Sequence, residues 1–533
     1  MKRGLRIVLL LVWLVLSWTV LLYHRTTLAP PPIRYADQDL EPHGWFYPKE
    51  QYGLNQLFLK GTPYARGVAA GRLTKDLLKR EEDSLIKQFT SFFPNVFYRW
   101  GLTVGLMRYF WGIDRFAEPA MLEEMYGVSL SAPPQYDRLL SPYTRQLAYH
   151  GLHEVGQMFV DFGDPSMACT LFAVPYEKSW LIGRNFDFEG GKVFDEDKIL
   201  KWVFPTVGHR YLSVIWGGMV GAVTGVNDAG VYISINAAGS TDYRRYGMPT
   251  TLVVTKALEE SANAEAAVEI IKSATTFITD IFVVADREHA YRIEKSPRRV
   301  AVEPIERPTV VANHLLSPLW KEDKINHYRT TELTSQARFD RGEKLLAATK
   351  TPNPEVMARW LRDKGEHEGK SLPLGNRRAI DALIATHAVI YDAAKGILYV
   401  SQGPAVTGKF IGYDLAATFG STGPAKAVRE IAADPEVSEK RYRSVKGADR
   451  LLGAAEKMAK AGHCEDAFRA LTQAEALYAE SSHFFSVRGD VQNCRREKTA
   501  AIESWKEAIR RVPAYPREVR DLEGRIRNAT QVP

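Results

Sequence analysis

Hydrophobic and polar positions divide the chain into stretches of different character. The first is Ile7–Tyr23, an uncharged run rich in Leu, Val and Trp that follows Lys2, Arg3 and Arg6. A basic flank before an apolar run marks a secretory signal or an uncleaved signal anchor. The run ends in Leu22-Tyr23-His24-Arg25 without a small-x-small cleavage site, and Pro30-Pro31-Pro32 follows. A single-pass anchor over residues 1–24 is therefore expected, with cleaved secretion as the alternative. Its length is at the short end of the roughly 17–25 residues that cross a bilayer as helix. The basic end stays in the cytoplasm, which puts the rest in the periplasm or outside the cell.

Residues 25–54 read as a linker and 55–168 as a mostly helical region. Leu73–Phe89 and Pro119–Val128 carry apolar residues at helical spacing. Phe58–Pro63 is a short strand running into a turn, and the small residues of Arg66-Gly67-Val68-Ala69-Ala70-Gly71 suggest a closely packed helix start. Phe92-Phe93, Phe97-Tyr98, Trp100 and Tyr109-Phe110-Trp111 either line a pocket or fill a core.

From Cys169 the pattern turns to strands. Thr170–Val174 and Trp180–Ile182 flank Pro175–Ser179 as a hairpin, and Tyr211–Ile215 and Val231–Ile235 are further strands. Helical periodicity returns over Thr250–Leu258 and Ala264–Ser273, with Asn263 placed as cap. Strands resume at Ile281–Ala285, Tyr291–Glu294, Thr309–Ala312, His387–Tyr391 and Ile397–Val400. Strands, helices and strands again predict an α+β domain over about 169–420, with helices layered on antiparallel sheets.

Residues 445–527 are all-helical in pattern. Ala467-Phe468 and Ala474 recur 34 residues later as Ala501-Ile502 and Ala508, followed by Pro513. That period is tetratricopeptide-like, and two copies are few for a free-standing solenoid. The helices are expected to lie on the enzyme domain, with an ordinary helical appendage as the alternative, and they offer a surface to a protein partner.

Composition narrows the function classes. The 70 Lys and Arg against 63 Asp and Glu leave +7, a mild surplus that suits a membrane surface. No basic block interleaved with aromatics argues for nucleic acid. The three cysteines, Cys169, Cys464 and Cys494, form no zinc-type pair, so neither metal nor cofactor is expected. In an oxidising compartment Cys464 and Cys494 could pair, a match that spacing alone does not decide.

An isolated cysteine opening an apolar strand is ordinarily a small buried hydrophobe. Here the hairpin would return Arg184 and Asp187 of Gly183-Arg184-Asn185-Phe186-Asp187 to Cys169. A neighbouring guanidinium lowers a thiol pKa and raises its reactive fraction.

Cys169-Thr170 followed by Gly183-Arg184-Asn185-x-Asp187 resembles the nucleophile hairpin of the penicillin acyltransferase-like cysteine family. Bile-salt hydrolases and acid ceramidase are relatives of that family. Trp216-Gly217-Gly218-Met219-Val220-Gly221, Gly225-Val226-Asn227-Asp228-Ala229-Gly230, Ser234-Ile235-Asn236, Asn313 in Val311-Ala312-Asn313-His314, Arg338 in Ser335-Gln336-Ala337-Arg338-Phe339, and the upstream Gly61–Gly67 are similar to further motifs. The resemblance covers roughly 55–415 and departs at Ala168, where the acyltransferase branch has Gly.

It implies an N-terminal-nucleophile αββα sandwich whose N-terminal chain ends at Ala168. Self-cleavage there would free the α-amino group of Cys169 as the local base. It further implies an oxyanion role for Asn236, second-Asn and late-Arg roles for Asn313 and Arg338, and hydrolysis of a linear N-acyl amide. Asp187 is expected to hold the α-amino group and Arg184 to orient the thiol or a polar substrate group. Acyl transfer to an amine is the first alternative, a non-catalytic membrane-tethered scaffold the second and a peptidase the last.

Overall fold

A computed structural model describes residues 2–33, 43–161, 167–366, 369, 371–421 and 423–531. Two sheets organise the central part of the chain. The nine-stranded sheet runs, in spatial order, Gly44–Tyr47, Asn55–Gly61, Ile199–Pro205, Tyr211–Ile215, Thr224–Asn227, Tyr232–Ala237, Asp280–Ala285, Ala290–Lys295 and Val300–Pro304. The seven-stranded sheet runs Thr309–Val311, Met167–Tyr176, Ser179–Phe188, Ala385–Asp392, Ile397–Ser401, Phe410–Asp414 and Ala427–Ile431. All pairings are antiparallel except Asn55–Gly61 with Ile199–Pro205, a parallel pair that departs from the antiparallel expectation.

The sheets pack face to face because each strand alternates its side chains. Phe58, Trp202, Tyr232 and Val283 of the first sheet share one core with Ile182, Val389, Leu398 and Tyr413 of the second. Outside the first sheet, Leu252 and Ala257 of Thr250–Glu260 and Ile271 of Ala264–Ser273 cover Ile233 and Val284. Outside the second, Met357 and Leu361 of Pro354–Leu361 cover Phe172, Val174, Leu181 and Ile390. The result is an α+β architecture layered helix, sheet, sheet, helix.

Residues 55–168 are mostly helical, as their pattern predicts, but Asn55–Gly61 is an interior strand of the nine-stranded sheet. Gly44–Tyr47, in the stretch read as linker, is that sheet's edge strand, and residues 34–42 of the stretch lie outside the described residues. The predicted helix from Leu73 breaks at Thr74, which separates Pro63–Leu73 from Lys75–Phe92. The Arg66–Gly71 run of small residues crosses Pro119–Ser129 at backbone contact: a Cβ on Gly67 would lie 2.0 Å from the Glu124 carbonyl oxygen. Arg66 Nη2 and Glu124 Oε2 form an ion pair of 2.7 Å beside this crossing.

The first helix, Lys2–Thr26, ends against Val96–Phe110, where Leu22 meets Val104 and Met107. Among the described residues no helix is long and apolar enough to cross a membrane. Described side chains of the first helix start at Leu10, and Leu10–Leu16, Trp18, Val20 and Leu21 form an exposed apolar row.

The C-terminal helices are Glu439–Lys460, Cys464–Leu477, Ser482–Cys494, Lys498–Arg510 and Pro516–Gln531. Ala467, Ala474, Ala501 and Ala508 are all fully buried in their common core. Cys464 and Cys494 are disulfide-bonded with a Cα–Cα distance of 5.5 Å, so the pairing that spacing left open is made. These helices lie on the sheet domain. Leu374 N donates to Tyr478 Oη (2.7 Å), and Asn376 Nδ2 donates to the Val512 carbonyl (2.8 Å).

Candidate active site

Cys169 lies on Met167–Tyr176, which pairs with Ser179–Phe188 through a two-residue turn at Glu177 and Lys178. Both turn residues have positive φ, 49° and 61°, the left-handed geometry whose twist matches paired strands. The register sets Cys169 opposite Phe186, Leu171 opposite Arg184 and Ala168 opposite Asp187. Cys169 and Arg184 thus share the face toward the other sheet, while Ala168 and Asp187 point to the opposite face.

On the inner face both Cys169 and Arg184 are fully buried. Arg184 Nη2 is 3.8 Å from Cys169 Sγ, and its Nε donates to Asn236 Oδ1 (3.3 Å). Its remaining N–H groups donate to the Val223 and Ile235 carbonyls and to Thr224 Oγ1. The guanidinium is held by four fixed acceptors, so its position beside the sulfur does not depend on the thiol. Burial pushes the Cys169 thiol above its usual range, Arg184 pulls it down and Asp187 pushes it up.

Asn313 and Arg338 grip the backbone of the nucleophile. Cys169 N donates to Asn313 Oδ1 at 2.8 Å. Arg338 donates to the Cys169 carbonyl, to Thr170 Oγ1 (2.9 Å) and to Asn313 Oδ1 (2.7 Å). Asn313 is fixed in turn by the Ala237 carbonyl (2.8 Å) and by Ser335 Oγ, which accepts from its backbone N–H (2.8 Å). The atom that cleavage would turn into an α-amino group is therefore held by Asn313.

The structure brings the six sequence-derived residues together but distributes the contacts differently from the expected roles. Asp187, expected to hold the α-amino group, has neither carboxylate oxygen partnered. Its carboxyl is pushed up to about 7 by burial, against the pull of Arg338 and with a further push from Asp381. Asn236 Nδ2, expected at an oxyanion, donates to the carbonyls of Val311 (3.2 Å) and Ala312 (3.1 Å). In the intact chain those donors are engaged.

Sequence reading missed Thr170, Ser335 and Thr224. The first two adjoin or lie within quoted motifs, whereas Thr224 shows its contact with Arg184 only in three dimensions. It also missed His387, whose Nε2 is 3.1 Å from Thr224 Oγ1 and whose ring stacks on Phe186. Burial drives His387 well below the usual imidazole range, so it stands neutral.

Two cavities flank Met167. The larger, about 130 Å³, is walled by Leu78, Leu85, Phe186, Phe188, Trp216 and Met167. The smaller, about 20 Å³, lies among Ala168, Asn313, Arg338, Arg377, Tyr515 and the same Met167. The aromatic segment proposed as pocket lining is not in either wall: Phe97, Tyr98 and Trp100 are exposed and Phe110 is core. The Phe92 side chain lies outside the described residues.

Among the described residues, Glu265, Asp286 and His289 come close enough to share a cation. Asp286 there accepts backbone N–H groups from Ala264, Glu288 and His289, which is sufficient reason for its position.

Comparison with known proteins returns a match over residues 175–403 to the family described as acyl-coenzyme A:6-aminopenicillanic acid acyl-transferase. The chain is 25% identical over 180 residues to the acyl-coenzyme A:6-aminopenicillanic-acid-acyltransferase 40 kDa form of Emericella nidulans, covering 34% of this chain and 46% of that protein. It is 27% identical over 172 residues to an uncharacterized protein of Archaeoglobus fulgidus, covering 30% and 29%. The chain thus spans less than half the length of both curated relatives.

Among solved structures, a Caenorhabditis elegans N-acylethanolamine-hydrolyzing acid amidase ortholog aligns at TM-score 0.30 and 15% identity, covering 42% of this chain and 92% of its own. A mutant of the conjugated bile acid hydrolase from Clostridium perfringens aligns at 0.32 and 12%, covering 49% and 96%. Those scores are too low to carry an argument.

The family match starts six residues after Cys169, on the same strand, and takes in Arg184, Asp187, Asn236, Asn313 and Arg338. Residues 175–403 are therefore similar to the penicillin acyltransferase family, the family that the Cys169 hairpin resembles.

Proposed function

We propose that this protein is a cysteine amidohydrolase of the N-terminal-nucleophile type, activated by self-cleavage between Ala168 and Cys169. One observation carries the reading: the Cys169 thiol faces a fixed guanidinium while its own backbone N and C=O are held by Asn313 and Arg338. A merely structural buried cysteine needs no such grip on both sides of its Cα.

In the proposed sequence the Cys169 sulfur attacks the Ala168 carbonyl carbon, and hydrolysis of the resulting thioester leaves Cys169 with a free α-amino group. That amine, held at Asn313 Oδ1, takes the thiol proton in each later turnover. The thiolate attacks the substrate amide carbonyl, and the protonated amine passes its proton to the departing nitrogen. Water then releases the acyl group, regenerating the thiol. Arg184 stabilises the thiolate and Arg338 fixes the nucleophile's backbone. An oxyanion role for Asn236 requires it to release the Val311 and Ala312 carbonyls, a rearrangement within reach once the peptide before Cys169 is cut.

The larger cavity supports an apolar acyl group, since its wall is mostly aliphatic and aromatic. Acyl transfer to an amine is the second reading, favoured by the activity for which the matched family is named.

The exposed apolar row of the first helix suits contact with a membrane surface, although no described helix is long and apolar enough to cross one, and the Cys464–Cys494 disulfide supports an oxidising, extracytoplasmic compartment. The buried alanines at a 34-residue period support a tetratricopeptide-like region able to receive a protein partner.

The test is release of laurate from N-lauroyl amides by purified protein, with and without an acceptor amine, beside a Cys169→Ala control. Laurate release abolished by the substitution supports the hydrolase, and a new lauroyl amide formed with the acceptor supports the transferase. Turnover that survives Cys169→Ala rules out the nucleophile.

A further inference from the structure

Met167, two residues before Cys169, belongs to the walls of both cavities, and it lies on the N-terminal side of the bond proposed to break. The larger cavity is apolar. The smaller one is lined by Arg329, Arg338 and Arg377, of which Arg377 is already paired through Nη2 with Glu189. It also holds unused hydrogen-bonding capacity: Arg338 Nε and Arg377 Nη1 are buried without a partner. Arg338 itself is only 2% exposed. Tyr515, 5% exposed, closes the same wall from the turn before the last C-terminal helix.

We propose that self-cleavage removes Met167 as a partition and joins the two cavities into one cleft past Cys169, apolar at one end and carboxylate-binding at the other. Arg377 and Tyr515 form the carboxylate subsite, so the C-terminal helices complete the substrate site rather than only decorating the enzyme. The substrate class is an N-acyl amino acid: an apolar acyl chain in the larger cavity, the amide at Cys169, and the amino-acid carboxylate at Arg377. This rests on the amidohydrolase reading above.

The chemistry explains the choice of group. A guanidinium offers paired N–H donors that match a carboxylate, and unsatisfied buried donors are a standing cost that an anionic ligand removes. Arg377 Nη2 is already taken by Glu189, which leaves its unpartnered Nη1 as the donor for one further negative group. The first carboxylate available is that of Ala168 itself, made by the cleavage. Its departure with the N-terminal segment vacates the subsite for substrate.

The test compares N-lauroylglycine with N-lauroylethanolamine on processed full-length protein. Wild type is expected to favour the glycine conjugate in kcat/KM, and Arg377→Gln to lose about tenfold of that preference through KM, with the ethanolamide affected by a smaller factor. Arg377→Lys restores part of the preference, a recovery that a purely structural role would not give. Tyr515→Phe, which keeps the ring, reduces the preference by a smaller factor.

Equal turnover of both amides by wild type overturns the subsite while leaving the amidase intact. So does an Arg377→Gln variant that loses both substrates equally. Calorimetric binding that favours N-lauroylglycine without any turnover keeps the subsite and removes the amidase. A chain that stays whole, or one whose Ala168 carboxylate remains in place and blocks both amides, overturns the joined cleft.

Discussion

Replacing Asp187 by Asn in a Cys169→Ala chain, which remains uncut, isolates the least satisfied charge in the site. Asp187 is 1% exposed and neither oxygen has a hydrogen-bond partner. Burial raises its carboxyl from the ordinary 3.8 to about 7 in the folded chain. Between those values the folded state holds a proton that the unfolded state has lost, so stability falls as pH rises, and the fall levels off above about 7. Between pH 5 and pH 8 the loss amounts to on the order of 2–3 kcal/mol from this one group. Asn does not titrate. Asp381 and Glu259 are also raised, to about 6 and about 7, but they are present in both chains and cancel in the comparison.

The assay is the thermal midpoint of the two chains at pH 5 and pH 8. The Asp187→Asn chain should lose less on going to pH 8, by roughly a few degrees, and should be the more stable of the two there. The same substitution in the Cys169-containing chain should impair cleavage or turnover, the usual exchange between stability and activity at a strained site. Identical pH dependence in the two uncut chains would refute the reasoning, because it would mean that Asp187 finds a partner or water in the folded state.

Two further outcomes follow from packing and from the cross-link. Gly67→Ala forces a Cβ into the Glu124 carbonyl, 2.0 Å away, and should destabilise the helix crossing by about 1–3 kcal/mol or more, read as a lowered unfolding midpoint. Cys464→Ser removes a disulfide closing a 30-residue separation and should destabilise the C-terminal helices by about 2–4 kcal/mol, with proteolysis in that region as the readout.

The nucleophile hairpin was legible because its information is local: two apolar runs, a turn, and polar residues spaced to return to one place. Asn263 as cap and Ala264–Ser273 as helix were legible for the same reason, and the cap does accept from Ala266 N at 2.9 Å. Ile199–Pro205 was not read as a strand, since Lys201 interrupts its apolar run; in the fold Lys201 is buried and donates to the Val220 carbonyl at 2.7 Å. Gly225–Gly230, quoted as a single motif, spans the end of the strand Thr224–Asn227 and the turn after it.

The site residues were identifiable by type, but their partners were not. Which donor Asn236 spends on which carbonyl depends on where Val311 and Ala312 arrive, and Asp187's lack of a partner is a property of burial. The cavities were hidden because Leu78, Phe186 and Trp216 are far apart in sequence and Tyr515 comes from the opposite end of the chain.

The most direct test of the account is intact mass with N-terminal sequencing of purified wild type beside Cys169→Ala. The account predicts two chains from wild type, one beginning Cys169-Thr170-Leu171, and a single uncut chain from the variant. A wild type that stays whole would contradict it and leave a non-catalytic membrane-tethered scaffold as the better description.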